Sequence, residues 1–173
     1  ISFNDLKIEV GHFLGYGPNA ADWTAAQLAE IDRIVQTGVR RFYYPPAVEG
    51  VQADFEWSFI KPETTIATVA DQATNDLPDN LGRVVGQFYY PSSSNRVSVV
   101  VVSEAQLNEY KSHTDSDGAP RYCCIRHKAS DGSDGQRLEV EWYPVPDSAY
   151  TLTYKFEAYQ GRLSNSNPYP LGG

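Results

Sequence analysis

Few residues of this 173-residue sequence are of the types that carry out acid–base or metal chemistry. The three histidines, His12, His113 and His127, form neither an HxxxH nor an HExxH pattern. A metal site or an acid–base pair needs groups that converge on one point, and this spacing gathers none. We therefore expect no metal, no cofactor and no catalytic residue, and we interpret the histidines as surface or half-buried side chains.

The two cysteines, Cys123 and Cys124, are adjacent in the sequence. Neighbouring residues of a strand point to opposite faces, so a disulfide between them is not expected. A catalytic thiolate would need a positioned base, whereas a free cysteine usually behaves as a small buried hydrophobic residue. We expect one of the two to face the core, and a reducing compartment fits their free thiols.

Three loops superficially resemble ligand-binding loops. The runs 115–118 and 131–135 combine Asp, Ser and Gly, but neither has the ligand order of an EF-hand. Gly11, Gly15 and Gly17 form no GxGxxG and follow a predicted helix, whereas a phosphate loop follows a strand. Turns favour the same residue types, so we interpret the two Asp-Gly runs as turns, and we reject a phosphate loop at the three glycines.

One local cluster combines basic and aromatic residues, at 40–44. Arginine with aromatic residues is found in nucleic-acid sites, but cations also favour the last turn of a helix. Two arginines do not make a basic stripe, so we prefer the helix end, with a protein–protein contact as the intermediate interpretation. The candidate interface residues are Arg40, Arg41, Tyr43, Tyr44 and Tyr169.

The first 44 residues are predicted to form two helices. Apolar residues from Phe3 to Phe13 follow helical spacing, and Gly15, Gly17 and Pro18 end that helix. Thr24 to Gln27 is a capping box, and an apolar stripe follows from Leu28 to Phe42. Pro45 and Pro46 end the second helix.

From about residue 53 the apolar period changes to two, which predicts strands. Phe55, Trp57 and Phe59 alternate with polar residues, and a capping box at Ser103 opens a short helix through Tyr110. The other predicted strands are 64–69, 83–90, 96–102, 122–128, 136–143 and 150–159, of which 122–128 and 136–143 form a hairpin.

These elements predict an α+β fold. An N-terminal helix pair precedes an antiparallel, sandwich-like β-rich body with a short inserted helix. The predicted divisions are a helical part at 1–46, a β-rich body at 47–163, and an extended C-terminal arm or linker at 164–173.

The composition indicates a component of a protein assembly. Fourteen Lys and Arg against 22 Asp and Glu give a formal net charge of −8, which disfavours non-specific binding to phosphate backbones or anionic lipid. No apolar run is long enough to span a bilayer, and no signal peptide opens the sequence. Aromatic residues reach 13%, with 12 Tyr, which is typical of β structure and contact surfaces.

Several stretches, in this order and spacing, resemble virion proteins of tailed phages. The resemblance covers nearly the whole chain and is to head–tail connector (adaptor) proteins, including the tail tubular protein A group. The stretches that carry it are Trp23, Gly38–Pro45, Phe55–Pro62, Leu77–Asn80, Gly118–Tyr122, Pro144–Asp147, Tyr150–Tyr154 and Asn167–Gly173.

The resemblance implies a ring, commonly dodecameric, at the head–tail junction of the virion, made from chains synthesised in the host cytoplasm. A helical part would dock on the portal protein, and a β-rich part would face a downstream tail or stopper protein. Genomic DNA would pass through transiently, without specific binding, since an acidic lumen repels the phosphate backbone. The resemblance implies no catalytic residue and no membrane contact.

Alternatives remain open from the residues alone. A stopper, a tail terminator or a tail-tube component would have the same Tyr-rich, β-rich composition. A carbohydrate-binding β-sandwich would use Trp57, Trp142 and tyrosines as a stacking surface. An enzyme is disfavoured because no catalytic constellation is assembled.

Overall fold

The computed structural model describes residues 1–45, 57–113, 116–129 and 137–171. The chain divides into two compact units: a helical unit, residues 1–60 with 160–173, and a β unit, residues 61–159. These divisions fall at 60 and 159 rather than at the predicted 46 and 163. The α+β class with a β-rich body is confirmed.

The described residues form three α-helices and seven strands. The helices are α1 (Phe3–Phe13), α2 (Ala25–Tyr43) and α3 (Glu104–His113). The strands are β1 (Glu63–Ala67), β2 (Thr74–Asp76), β3 (Leu81–Tyr89), β4 (Val100–Val101), β5 (Tyr122–His127), β6 (Leu138–Tyr143) and β7 (Thr151–Ala158).

Local sequence determines where the helices begin and end. The Thr24 hydroxyl accepts from the Gln27 backbone N–H, and the Gln27 side chain accepts from the Thr24 backbone N–H, which confirms the capping box. Ser2 and Asp5 form an equivalent box at the start of α1 that the sequence analysis did not identify. The last helical residue of α2 is Tyr43, ahead of Pro45.

The core of the helical unit depends on one large side chain between the two helices. Trp23 is buried, and its indole N–H donates to the carbonyl oxygens of Tyr16 and Gly17. Its ring lies over Gly11, where a Cβ would come within 2.3 Å of Trp23 Cζ2. Gly11 therefore allows α1 to approach the indole closely. The remaining core residues are Phe3, Ile31, Val35 and Leu163.

The described C-terminal residues pack onto the helical unit. Leu163 is 2% exposed, and its backbone N–H and C=O both bond the Gln36 side-chain amide, at 3.2 and 2.7 Å. The Phe3 N–H donates to the Pro168 carbonyl at 2.6 Å. The described part of this segment is irregular, with a turn closed by backbone bonds between Ser164 and Asn167, and it packs on this core. Aperiodic sequence gave no indication of this, because the bonds that hold it are to distant residues.

The β unit contains two sheets. One is antiparallel, in the order β1-β7-β3, and the other has the order β2-β6-β5-β4, with β4 parallel to β5. Phe88 of β3 meets Trp142 of β6 edge-on, at 5.1 Å between ring centroids, and Tyr154 of β7 at 4.8 Å. These aromatic rings join the inner faces of the two sheets, as expected of a sandwich-like body.

Most predicted strands are confirmed, and the antiparallel pairing of β5 with β6 confirms the hairpin. The predicted alternation over Phe55–Phe59 is wrong where it is described, because Trp57 lies outside any strand and Ser58–Ile60 forms a 3₁₀ turn. Residues 55 and 56 lie outside the described residues. The run 96–102 forms only β4 and one bridge from Val99 to Phe88. The three-residue β2 was not predicted.

Candidate functional site

Among the described residues, the side chains that could do acid–base or metal chemistry are not brought together. His12, His113 and His127 are all exposed. Among the described residues, no group of three or more His, Cys, Asp or Glu side chains is placed to hold a metal ion. Gly15 and Gly17 adopt φ of 79° and 82° in the turn after α1, as expected of a turn. Asp115 and the run 131–135 lie outside the described residues.

Both cysteines are buried with free thiols. Burial raises the pKa of the Cys123 thiol well above its usual range, and burial is also the main cause of the raised pKa of Cys124. A raised pKa disfavours the nucleophilic thiolate. The prediction that one cysteine faces the core therefore holds for both.

The structure separates the candidate interface residues into two groups. Arg40, Arg41 and Tyr44 are exposed along α2, and Tyr169 is 63% exposed. Tyr43 is 3% exposed, and its hydroxyl donates to the Leu171 carbonyl at 2.6 Å. Tyr43 is thus placed to hold the C-terminal segment rather than to meet a partner directly.

The exposed arginines continue along the helix. Arg33 lies about two turns before Arg40 and Arg41 and is also exposed. No carboxylate in the described part of the chain forms an ion pair with Arg33, Arg40 or Arg41. From Arg33 to Pro45 the sequence contains no Asp or Glu. This side of α2 is therefore a basic strip on a chain of net charge −8.

An apolar groove of about 510 Å³ runs between α1 and α2 beside the C-terminal segment. Its walls include Leu6 and Val10 from α1, Ile34, Gly38 and Phe42 from α2, and Leu171. Phe42 is 52% exposed and stacks on Trp57 at 4.8 Å between ring centroids. Trp57 and Phe59, which were predicted to share one face of a strand, instead pack against Phe42 at the end of α2.

The β unit has a polar cleft of about 460 Å³. Arg96 and Arg121 line it, and the Arg96 guanidinium lies over the Tyr150 ring at 5.0 Å from its centroid. Nearby, burial raises the pKa of Tyr90 to about 12, and the Tyr90 hydroxyl donates to the Pro120 carbonyl.

The carbohydrate-binding alternative is contradicted at its central residue. Trp142 is 1% exposed, and its indole N–H donates to Asn75 Oδ1 at 2.7 Å, so it has no face to offer a sugar. Trp57 is half-buried and stacked on Phe42. The second indole is thus also engaged in packing within the chain.

Comparison with known proteins identifies the family. A family model described as SU10 adaptor protein matches residues 1–171, which spans both units. A search of curated proteins found no significant match. Among the described helices, none has the length and apolarity needed to cross a membrane. The match confirms the resemblance to connector proteins, and the chain belongs to the SU10 adaptor protein family of phage head–tail adaptors.

Proposed function

We propose that this adaptor assembles into a ring at the head–tail junction of the virion. The ring would bind the portal protein on one side and a downstream tail or stopper protein on the other. Family membership over residues 1–171 supports the junction, and adaptors resembling this chain commonly form dodecamers. The role is structural, and we assign no residue to catalysis.

The observation that carries this proposal is the open apolar groove of the helical unit. Large contiguous apolar surfaces on a soluble protein typically mark contact sites. Here Ile1 and Phe42, which line the groove, are 78% and 52% exposed, and the basic strip follows the outer side of the same helix. We assign this surface to a contact with the portal protein or the downstream tail protein, and we include Arg40, Arg41 and Tyr44 in it.

The β unit has its own exposed apolar side chains, which suit contacts between copies. Tyr89, Val97 and Tyr159 are each more than half exposed. Tyrosine is enriched where proteins meet, because it combines a large apolar ring with a polar hydroxyl. We propose that these side chains contribute to ring contacts, as does Tyr169 at the C-terminal segment.

The net charge suits a channel through which DNA slides. A chain of charge −8 repeated around a ring would present a negative lumen, which repels the phosphate backbone. Genomic DNA would then pass without binding to the wall.

The experiment that tests the role is gold-labelled antibody electron microscopy on phage particles. We expect label at the vertex between capsid and tail. Label along the tail or at its tip would instead favour a tail-tube or receptor-binding role. Absence of label from every particle would contradict a virion role.

The assigned contact surface is tested by alanine substitution of Arg40 and Tyr44 together. We expect the double variant to fold normally but to lose incorporation into particles by at least about tenfold, since Arg and Tyr are frequent interface anchors. Arg162→Ala, an exposed arginine outside α2, serves as the control. Normal incorporation of the double variant would refute the assignment of this surface.

A further inference from the structure

We infer that the groove between α1 and α2 binds an amphipathic helix of a partner protein, with an apolar stripe bordered by acidic side chains. This inference rests on the proposed function, because the partner is the portal or tail protein that the adaptor meets. It adds the chemistry of the contact and the element that fills it. Three features support it: the glycine at position 38, the basic strip of α2 and the shape of the groove.

Gly38 lies in the interior of the 19-residue α2. Glycine there costs about 0.5–1 kcal/mol relative to alanine. Gly11 has an internal reason to lack a side chain, since the Trp23 ring lies against it. At Gly38, apart from its chain neighbours and the adjacent backbone of α2, no described atom lies within 4 Å of where a Cβ would be. The space in front of Gly38 therefore suits the close approach of another backbone.

One arginine of the basic strip, Arg41, lies beside the same groove. Ile34 lines the groove, and Arg41 follows it by seven residues, which places the two about 20° apart around the helix axis. Arg33 and Arg40 lie roughly 100–120° from Ile34 around the helix axis, so they extend the positive charge from Arg41 onto the outer side of α2. None of the three has an ion-pair partner among residues 1–45, 57–113, 116–129 and 137–171. An occupant with carboxylates beside its apolar stripe would pair with them.

The shape of the groove suits a helix. Ile34, Gly38 and Phe42 are spaced by four residues, so the α2 wall extends for two turns, about 12 Å at 1.5 Å per residue. An amphipathic helix presents apolar residues at i, i+3 or i+4 and i+7 over the same length. Because Gly38 has no side chain, the backbone of the incoming helix could approach α2 closely there.

A second copy of this chain fits the groove less well than a partner protein. In the described residues, α1 and α2 themselves form the walls, and the buried apolar residue of α3, Leu107, is fully covered within the β unit. None of the described helices thus offers a further exposed apolar stripe bordered by carboxylates. The complementary helix is therefore assigned to a different protein.

The first test fills the groove from within, using Gly38→Leu with Gly38→Ala as its matched control. The Cβ of either side chain meets open space, and the longer leucine extends into the groove. We therefore expect urea unfolding midpoints equal to or above that of the unmodified protein for both. In phage particles, we expect Gly38→Leu to reduce incorporation at least tenfold and Gly38→Ala to change it far less. A marked loss of stability in Gly38→Leu would show that the chain fills its own groove. Normal incorporation of Gly38→Leu into particles would show that no partner binds there. Either result overturns the inference.

The second test identifies the occupant in assembled particles. Phe42 is replaced by photoreactive p-benzoylphenylalanine, the particles are irradiated, and crosslinked peptides are sequenced by mass spectrometry. We expect a peptide of another virion protein with helical apolar spacing and adjacent Asp or Glu. Reversal of charge in Arg40→Glu with Arg41→Glu should reduce that crosslink at least tenfold, because like charges would then face each other.

The outcomes separate the inference from the proposed function. Crosslinks only to copies of this chain, or no crosslink to another protein, would overturn the inference. Gold label at the capsid–tail vertex in the same particles would then show that the adaptor role stands without it. Absence of label from the particles would contradict the proposed function itself.

Discussion

Two glycines within helices have opposite environments, and single substitutions distinguish them. Gly11 packs against the Trp23 ring, whereas Gly38 faces open space. We expect Gly11→Ala to lower the free energy of unfolding by about 1–3 kcal/mol, because an added methyl group overpacks the core. We expect Gly38→Ala to raise it by about 0.5–1 kcal/mol, since alanine favours the helix.

Urea unfolding followed by circular dichroism measures both changes. The two variants control for each other, because helix propensity alone would stabilise both. Stabilisation by Gly11→Ala would contradict the close packing of Trp23 on α1. The sequence alone does not predict which glycine is packed against another side chain, because both are simply unfavourable residues within predicted helices.

At the scale of elements, α3 is attached to the sheet by a buried carboxylate. Glu141 of β6 is 4% exposed and pairs with Lys111 of α3 and, at 2.8 Å, with Arg126 of β5. Arg126 also pairs with Glu139 at 2.7 Å. A buried charge is tolerated only when it is paired and hydrogen-bonded, so this network holds α3 in place.

The two ends of this network should differ in strength. We expect Glu141→Gln to lower the free energy of unfolding by about 1–3 kcal/mol, because both cations lose their shared partner. Lys111→Met should cost less than about 1 kcal/mol, since Lys111 is 41% exposed and Arg126 remains beside the carboxylate. Urea unfolding measures both, and hydrogen exchange of the α3 amides reports the attachment. Equal losses would show that Lys111, rather than Arg126, compensates the charge.

The elements that sequence predicted best are those determined by local rules. Thr24 with Gln27, and Ser103 with Gln106, form capping boxes within four residues, and both helices begin there. The hairpin of β5 and β6 follows from alternation on both sides of a turn. The predicted strand 96–102 is mostly absent, because this run pairs with β3 only at the single bridge between Val99 and Phe88. Alternation in the sequence does not show how many residues find a partner strand. The groove was not predictable, because it depends on Leu171 packing against residues more than a hundred positions away.

At the scale of the whole molecule, the net charge of −8 predicts that the protein does not bind duplex DNA non-specifically. We expect the purified adaptor not to retard linear double-stranded DNA in a gel at physiological salt. A net-negative chain is repelled by the phosphate backbone, and it neutralises too few phosphates to gain from counterion release. A basic DNA-binding protein at equal concentration provides the positive control. Retardation that disappears in Arg40→Glu with Arg41→Glu would instead show that the basic strip binds the phosphate backbone.

The burial of Cys123 and Cys124 determines how these thiols respond to oxidants outside a host cell. Once released, a virion has no glutathione or thioredoxin to repair oxidised sulfur. Oxidation requires an accessible thiolate, and these two sulfurs are neither accessible nor readily ionised. Burial therefore protects these thiols from sulfenic acid formation and from crosslinking to other protein molecules, and we expect them to stay reduced as a particle ages in air.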